Sequence, residues 1–194
     1  MRRRTFDGLM ATAGLVLAAV LLIAGGLLTW AHNFVGDQVH QQLVAQKIFF
    51  PPKGEAINDP AIKPYLTQYA GQQLTTGPQA KAYADHFIAV HLSEMPLGGV
   101  YSKVSAASRA NPNDAALAAE VQTSFQGTTL RGLLLEAYAF SVFATIALWA
   151  GIASFVLAAL LLILVGFGFW HARRVPETAE ILARAKTTTM PVTA

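Results

Sequence analysis

"AYAFSVFATIALWAGIASFVLAALLLILVGFGFW", residues 137–170, runs for 34 positions without a charged side chain. A helix needs about 20 apolar residues to cross the hydrocarbon core of a bilayer, so this run spans with residues to spare. A second run, "GLMATAGLVLAAVLLIAGGLLTW", residues 8–30, is equally free of charge. In lipid, only helices and closed barrels satisfy their backbone polar groups, and neither run alternates with a strand's period. Together they predict an all-α membrane protein, with two transmembrane helices and an extracytoplasmic helical domain between them. They also explain the composition. Of 194 residues, 54% are hydrophobic and 13% charged, against about a quarter charged in an ordinary soluble domain.

At 1.5 Å per residue the longer run reaches about 50 Å, while the core is about 30 Å thick. Tilt does not absorb that difference. The lipid crossing is therefore expected near 147–170, inside a long helix over 135–170. The upper part is then buried under the outer domain or against another chain. The expected organisation is a basic N-terminus (1–7), a first span (8–30), an outer domain (31–134) and the long helix (135–170). A tail (171–194) completes it.

Charge predicts the orientation. Arg2, Arg3 and Arg4 precede the first span, and Arg173 and Arg174 follow the second, with Arg184 and Lys186 beyond. Residues 31–134 hold seven Lys/Arg and seven Asp/Glu. The positive-inside rule then places both termini in the cytoplasm of a cell's inner (plasma) membrane, and 31–134 outside. The net charge of +3 reads as topology and contact with anionic membrane lipid, and not as nucleic-acid binding. "MRRR" resembles the start of a signal peptide, but the apolar run exceeds the usual 7–15 residues and no A-x-A pattern follows, so a retained anchor is expected. With no cysteine, a disulfide framework and thiolate chemistry are excluded.

Within the outer segment, Val35, Val39 and Leu43 repeat every fourth residue, a helical stripe that predicts a stalk over 31–48. Pro51 and Pro52 would end it. Phe49 and Phe50 are expected in a buried cap or on a contact surface. Asp59 and Pro60 read as a helix start and Gly71 as a stop. Pro78 marks a second start, with Ala80, Ala84, Phe87 and His91 on one face. "PLGG", residues 96–99, reads as a turn, and a short helix covers 100–110. Asn111 and Pro112 read as a third start and Gly127 as its end. The tail "KTTTMPVTA" reads as disordered.

Asp85, His86, His91 and Glu94 fall within ten positions and raise the question of a metal site. On a regular helix, His86 and His91 lie about 140° apart, whereas metal-binding helices place histidines four apart on one face. No metal, cofactor or catalytic residue is assigned. Nucleophile elbows, phosphate loops and dinucleotide fingerprints are missing, and neither span has an ionisable residue at its centre. Arg131, five residues before Glu136, is expected to meet a carboxylate or a lipid headgroup. Small residues spaced by four, Gly14 with Ala18, Ala147 with Gly151, and Ala150, Ser154 and Ala158, let helices approach closely. They are expected to pack the two spans together or to form an interface between protomers.

The stretches "RRRTFDGLMATAGLVLAAVLLIAGG", "KIFFPPKG", "YLTQYAGQQLTTG", "AYADHFIAVHL", "TLRGLLLEAYAF" and "FWHARR" resemble a family of uncharacterised two-span membrane proteins of actinobacteria. Some members carry an automatic label as an aromatic ring-opening dioxygenase subunit. Such iron chemistry commonly needs two histidines and a carboxylate around open positions, and the helix at 82–95 does not present them. The resemblance implies topology and host class only. The expected function is non-enzymatic: assembly as a homo-oligomeric scaffold, or as an accessory subunit of an envelope or respiratory complex. The alternatives are a homo-oligomeric pore lined by Ser141, Thr145 and Ser154, opened by wetting, or a lipid-binding carrier using the apolar upper part of helix 137–150.

Overall fold

A computed structural model describes residues 2–176. Of the expected tail (171–194), residues 171–174 continue the last helix, and 177–194, with Arg184 and Lys186, lie outside the described residues. Two helices are long and apolar enough to cross a membrane. The first, α1 (Arg3–Ala45), has 43 residues, and the last, α7 (Ala115–Arg174), has 60. At 1.5 Å per residue they measure about 65 and 90 Å. Between them lie α2 (Glu55–Asn58), α3 (Lys63–Leu66), α4 (Gly77–Tyr83), α5 (Ala89–Glu94) and α6 (Tyr101–Ala110). The described residues divide into two compact units, 2–29 with 149–176, and 30–148.

In the first unit α1 and α7 run antiparallel. Ala11, Ala18 and Gly25 are buried on one helix, and Gly151, Ala158, Val165 and Ala172 on the other. Both sets repeat every seventh residue, the period that keeps one seam facing a partner helix. The seam is close. A Cβ on Gly14 would stand 2.8 Å from Val165 Cγ2, one on Gly25 2.9 Å from Phe155, and one on Gly151 3.2 Å from Thr29 Oγ1. The large apolar side chains point the other way. Leu15, Val16, Ile23, Val156, Leu160 and Ile163 are all exposed. Small residues inside and large ones outside suit a helix pair surrounded by hydrocarbon.

The second unit has a core of Leu43, Phe50, Ile62, Leu66, Leu74, Ala80, Ala84, Ile88 and Leu134. Phe50 is its centre, packed at 5.1 Å from Tyr69 and 5.3 Å from Tyr83, ring to ring. Its neighbour Phe49 is exposed. The two prolines after them do not end the stalk. α1 stops at Ala45, through turns from Gln46 N–H to Leu43 O and Lys47 N–H to Val44 O, with Lys47 left-handed at φ 53°. Residues 48–51 then lie extended against 71–74, with Phe50 N–H bonded to Gln72 O and Leu74 N–H to Ile48 O. No strand was expected there, and the pairing is only an isolated bridge, Phe49 with Gln73.

Three further expectations need correction. Asp59 does cap a turn, its Oδ1 accepting Ala61 N–H at 2.6 Å, but the regular helix starts at Lys63. The long helix begins at Ala115 rather than 135. Its cap is Asp114, whose Oδ1 accepts the N–H of Ala116 and Leu117, while Asn111 only closes the preceding turn. Gly127 does not end a helix. It lies inside α7, where a Cβ would meet Leu92 Cδ2 at 2.8 Å. By contrast α4 starts with a full capping box between Thr76 and Gln79. Gln79 is buried, and its Oε1 also accepts Thr75 N–H at 2.8 Å.

Candidate interaction surface

The tryptophans come first. The chain has three, and all are exposed. On α7, Trp149 and Trp170 are separated by about 31 Å of helix, close to the hydrocarbon thickness of about 30 Å. Indole rings favour the two membrane–water boundaries. At the C-terminal end of α7, Arg174 stacks on Trp170, 4.0 Å from the ring centroid. Arg2, Arg3 and Arg4 around the start of α1, and Arg173 and Arg174 at the end of α7, all stand exposed. Among the small residues, Gly14, Ala18, Gly151, Ser154 and Ala158 sit on the seam between α1 and α7, buried or half-buried, and Ala147 is half-buried in the second unit.

Towards the N-terminus of α7 from Trp149, apolar side chains continue. Phe143 is 63% exposed, and Phe140 and Leu133 are also open. On α1, Phe34 is exposed and stacks on Trp30 at 5.3 Å. Of these, Phe34, Leu133 and Phe140 line a groove of about 500 Å³ between the two helices. Phe34, Val35, Val39 and Leu43 form one wall, and Leu130, Leu133, Leu134 and Phe140 the other. Gln38, Gln42 and Gln46 rim it, and Glu136 is its only ionisable side chain. The glutamines repeat every fourth residue because the stalk stripe of Val35, Val39 and Leu43 occupies the adjacent row of the same helix. Sequence reading found that stripe and took it as the sign of a helical stalk; in the structure Leu43 is buried and Val35 and Val39 are only partly covered.

The polar residues of α4 and α5 go elsewhere. A wide π turn spans Ala84–Ile88, with Ala89 N–H bonded to Ala84 O. It shifts the register, so the buried face reads Ala80, Ala84, Ile88 and leaves His91 exposed. His86 stacks flat on Tyr65, with centroids 3.5 Å apart and planes 5° apart. His91 Nδ1 lies 2.7 Å from Phe87 O. Among the described residues no three His, Asp or Glu side chains gather as a metal-binding group. Asp85 instead joins two cations, with Oδ2 at 2.5 Å from Lys81 Nζ and Oδ1 at 2.9 Å from Arg131. The Lys81 hydrogen bond, with Arg131 adding to it, holds the Asp85 carboxyl below the usual carboxylate range, against a partial offset from burial. The same bond raises Lys81. Burial pushes the Tyr83 phenol up.

The three hydroxyls considered as a pore lining bond back to their own helix. Ser141 donates to Tyr138 O, Thr145 to Ser141 O and Ser154 to Ala150 O. The chain matches no protein-family model, no curated protein and no solved structure. The resemblance to the actinobacterial two-span proteins therefore rests on the quoted stretches alone.

Proposed function

We propose that this is a non-enzymatic, two-span protein of the inner (plasma) membrane that acts by self-assembly, as a scaffold. Both termini lie in the cytoplasm and residues 31–134 outside. The carrying observation is the groove beside Phe34 and Phe140. It lies on helical segments beyond the span marked by Trp149 and Trp170, where exposed aromatic rings meet water unless another chain covers them. The occupant we assign is a second copy. A glutamine amide both donates and accepts hydrogen bonds, so the rim of Gln38, Gln42 and Gln46 pairs with its own image across a two-fold axis without like-charge repulsion. An apolar centre with a polar rim is also the usual anatomy of a protein interface. The actinobacterial resemblance agrees with this topology.

The test uses the natural lack of cysteine. A Gln42→Cys chain in native membranes is oxidised and run without reductant, beside an exposed control, Arg109→Cys. A cross-linked dimer from Gln42→Cys alone supports the reading. A monomer in both cases refutes it. Gentle extraction followed by native mass spectrometry separates the rivals. Co-extracted foreign subunits would make the chain an accessory factor of a larger envelope or respiratory complex. A monomer carrying lipid would make it a carrier.

A further inference from the structure

The second unit holds another pocket, of about 430 Å³, between α5, the turn at 96–99, the start of α6 and α7. Leu92, Val100 and Tyr101 give it apolar walls, and Arg131 is the only charged side chain lining it. Arg131 is not used up by its ion pair. Its Nη2 meets Asp85 Oδ1, while Asp85 Oδ2 meets Lys81 Nζ. Two cations share one carboxylate, so one positive charge is left over. Nε is closed off and offers a ligand nothing, but Nη1 has no hydrogen-bond partner and stays open to solvent. Two further donors line the same pocket, the hydroxyls of Ser102 and Thr128. Neither hydroxyl has a partner among the described residues. By contrast Thr123 and Thr145 on the same helix donate to Ala119 O and Ser141 O, and Ser93, also in the lining, donates to Val90 O. Apolar walls with a few convergent polar groups are the usual anatomy of a small-molecule site.

We infer that this pocket binds a small organic monocarboxylate. Its carboxylate accepts from Arg131 Nη1 and from the hydroxyls of Ser102 and Thr128, and its apolar body lies against Leu92, Val100 and Tyr101. Guanidinium is weakly hydrated, and its hydrogen bonds to carboxylates are charge-assisted. No acid lines the pocket to repel the ligand. Charge complementarity fixes the valence: one uncompensated positive charge matches one carboxylate, and a phosphate dianion overshoots it. The volume fits the body. A benzene ring fills a cavity of about 150 Å³, so a ring with its carboxylate has room here.

The inference goes beyond the self-assembly reading and does not depend on it. The full chain, isotope-labelled and held in micelles at pH 7 and fixed ionic strength, is titrated with benzoate, with its neutral twin benzamide and with inorganic phosphate. Nuclear magnetic resonance follows the amides of Gly98, Gly99 and Ser102. Benzoate should give saturable shifts with a Kd on the order of 1 mM, an ordinary affinity for so small a ligand. Benzamide should bind about tenfold more weakly, the factor one charge-assisted hydrogen bond supplies. Phosphate should also bind more weakly than benzoate. Thr128→Val keeps both the side-chain shape and the Asp85–Arg131 pair, and should weaken benzoate about fivefold. Arg131→Lys keeps a cation for Asp85 but loses Nη1, and should abolish saturation with helix content by circular dichroism unchanged. Benzoate shifts that never saturate, benzamide or phosphate binding as tightly as benzoate, or benzoate binding unaltered by Thr128→Val would each overturn the inference.

Discussion

Gly77 opens α4 where that helix touches α7, and alanine there provides a test by sign. A Cβ on Gly77 would come within van der Waals overlap of Ser141 Oγ and Cβ, and within 3.4 Å of Tyr138 Cα. Gly77 has a helical backbone. In open space Gly77→Ala would therefore stabilise the domain by about 0.4–1 kcal/mol, by restricting the unfolded chain. Against Ser141, the added methyl group forces the helices apart, and overpacking of that kind costs about 1–3 kcal/mol. The net expectation is a loss of about 1–2 kcal/mol. Ser141→Gly removes both offending atoms, and in that background Gly77→Ala should turn stabilising. The coupling across the double-mutant cycle is then about 2 kcal/mol. The assay is native-state hydrogen exchange in micelles, read at the amides of Ala80–Ala84, which α4 closes. If the two substitutions add to within about 0.5 kcal/mol, or if Gly77→Ala stabilises on its own, the close approach of α4 and α7 is wrong.

Asp85→Asn should weaken the second unit at neutral pH and flatten its acid limb. The folded carboxyl sits below its unfolded value, so its contribution is complete above the ordinary carboxylate pKa of about 3.9 and is lost as pH falls through the lowered folded value; unfolding midpoints between pH 7 and 2 report it. His86→Ala should cost about 0.5–1.5 kcal/mol, the value of an aromatic pair, and a chelator should leave the wild-type transition where it is; a chelator-induced drop would mean a metal after all. Gly99→Ala should disrupt the 96–99 turn outright, because φ is +61° and a Cβ would overlap Leu92 O, and loss of the folded second unit by limited proteolysis would show it. For topology, an impermeant maleimide on intact cells should label Ser102→Cys, while Thr5→Cys should react only after permeabilisation.

The two long helices were legible because lipid-length apolar runs have few other meanings, and the small-residue seam because its spacing lies within one helix. The start of α7 was not. "NPND" offers two caps, Asn111 and Asp114, and only the direction of the following helix decides between them. Gly127 was misread because a glycine that stops a helix and one that makes room for Leu92 look alike in sequence. The bridge between 48–51 and 71–74 pairs residues too far apart for any local period to show. The π turn at Ala84–Ile88 undid the angles drawn for His86 and His91, which assumed 3.6 residues per turn throughout. The groove was half legible. The stripe of Val35, Val39 and Leu43 was visible, but whether another element covers it depends on packing that sequence does not spell out.

The π turn also bears on tolerance to deletion. A π turn holds one residue more than the α-helix around it. Removing one residue within Ala84–Ile88 would let the helix close to its ordinary pitch, so that α4 and α5 keep their faces. The same deletion on either side would rotate everything beyond it by about 100°. The segment carrying the histidines is thus the place in the second unit where chain length can change with least damage, provided Asp85 is kept.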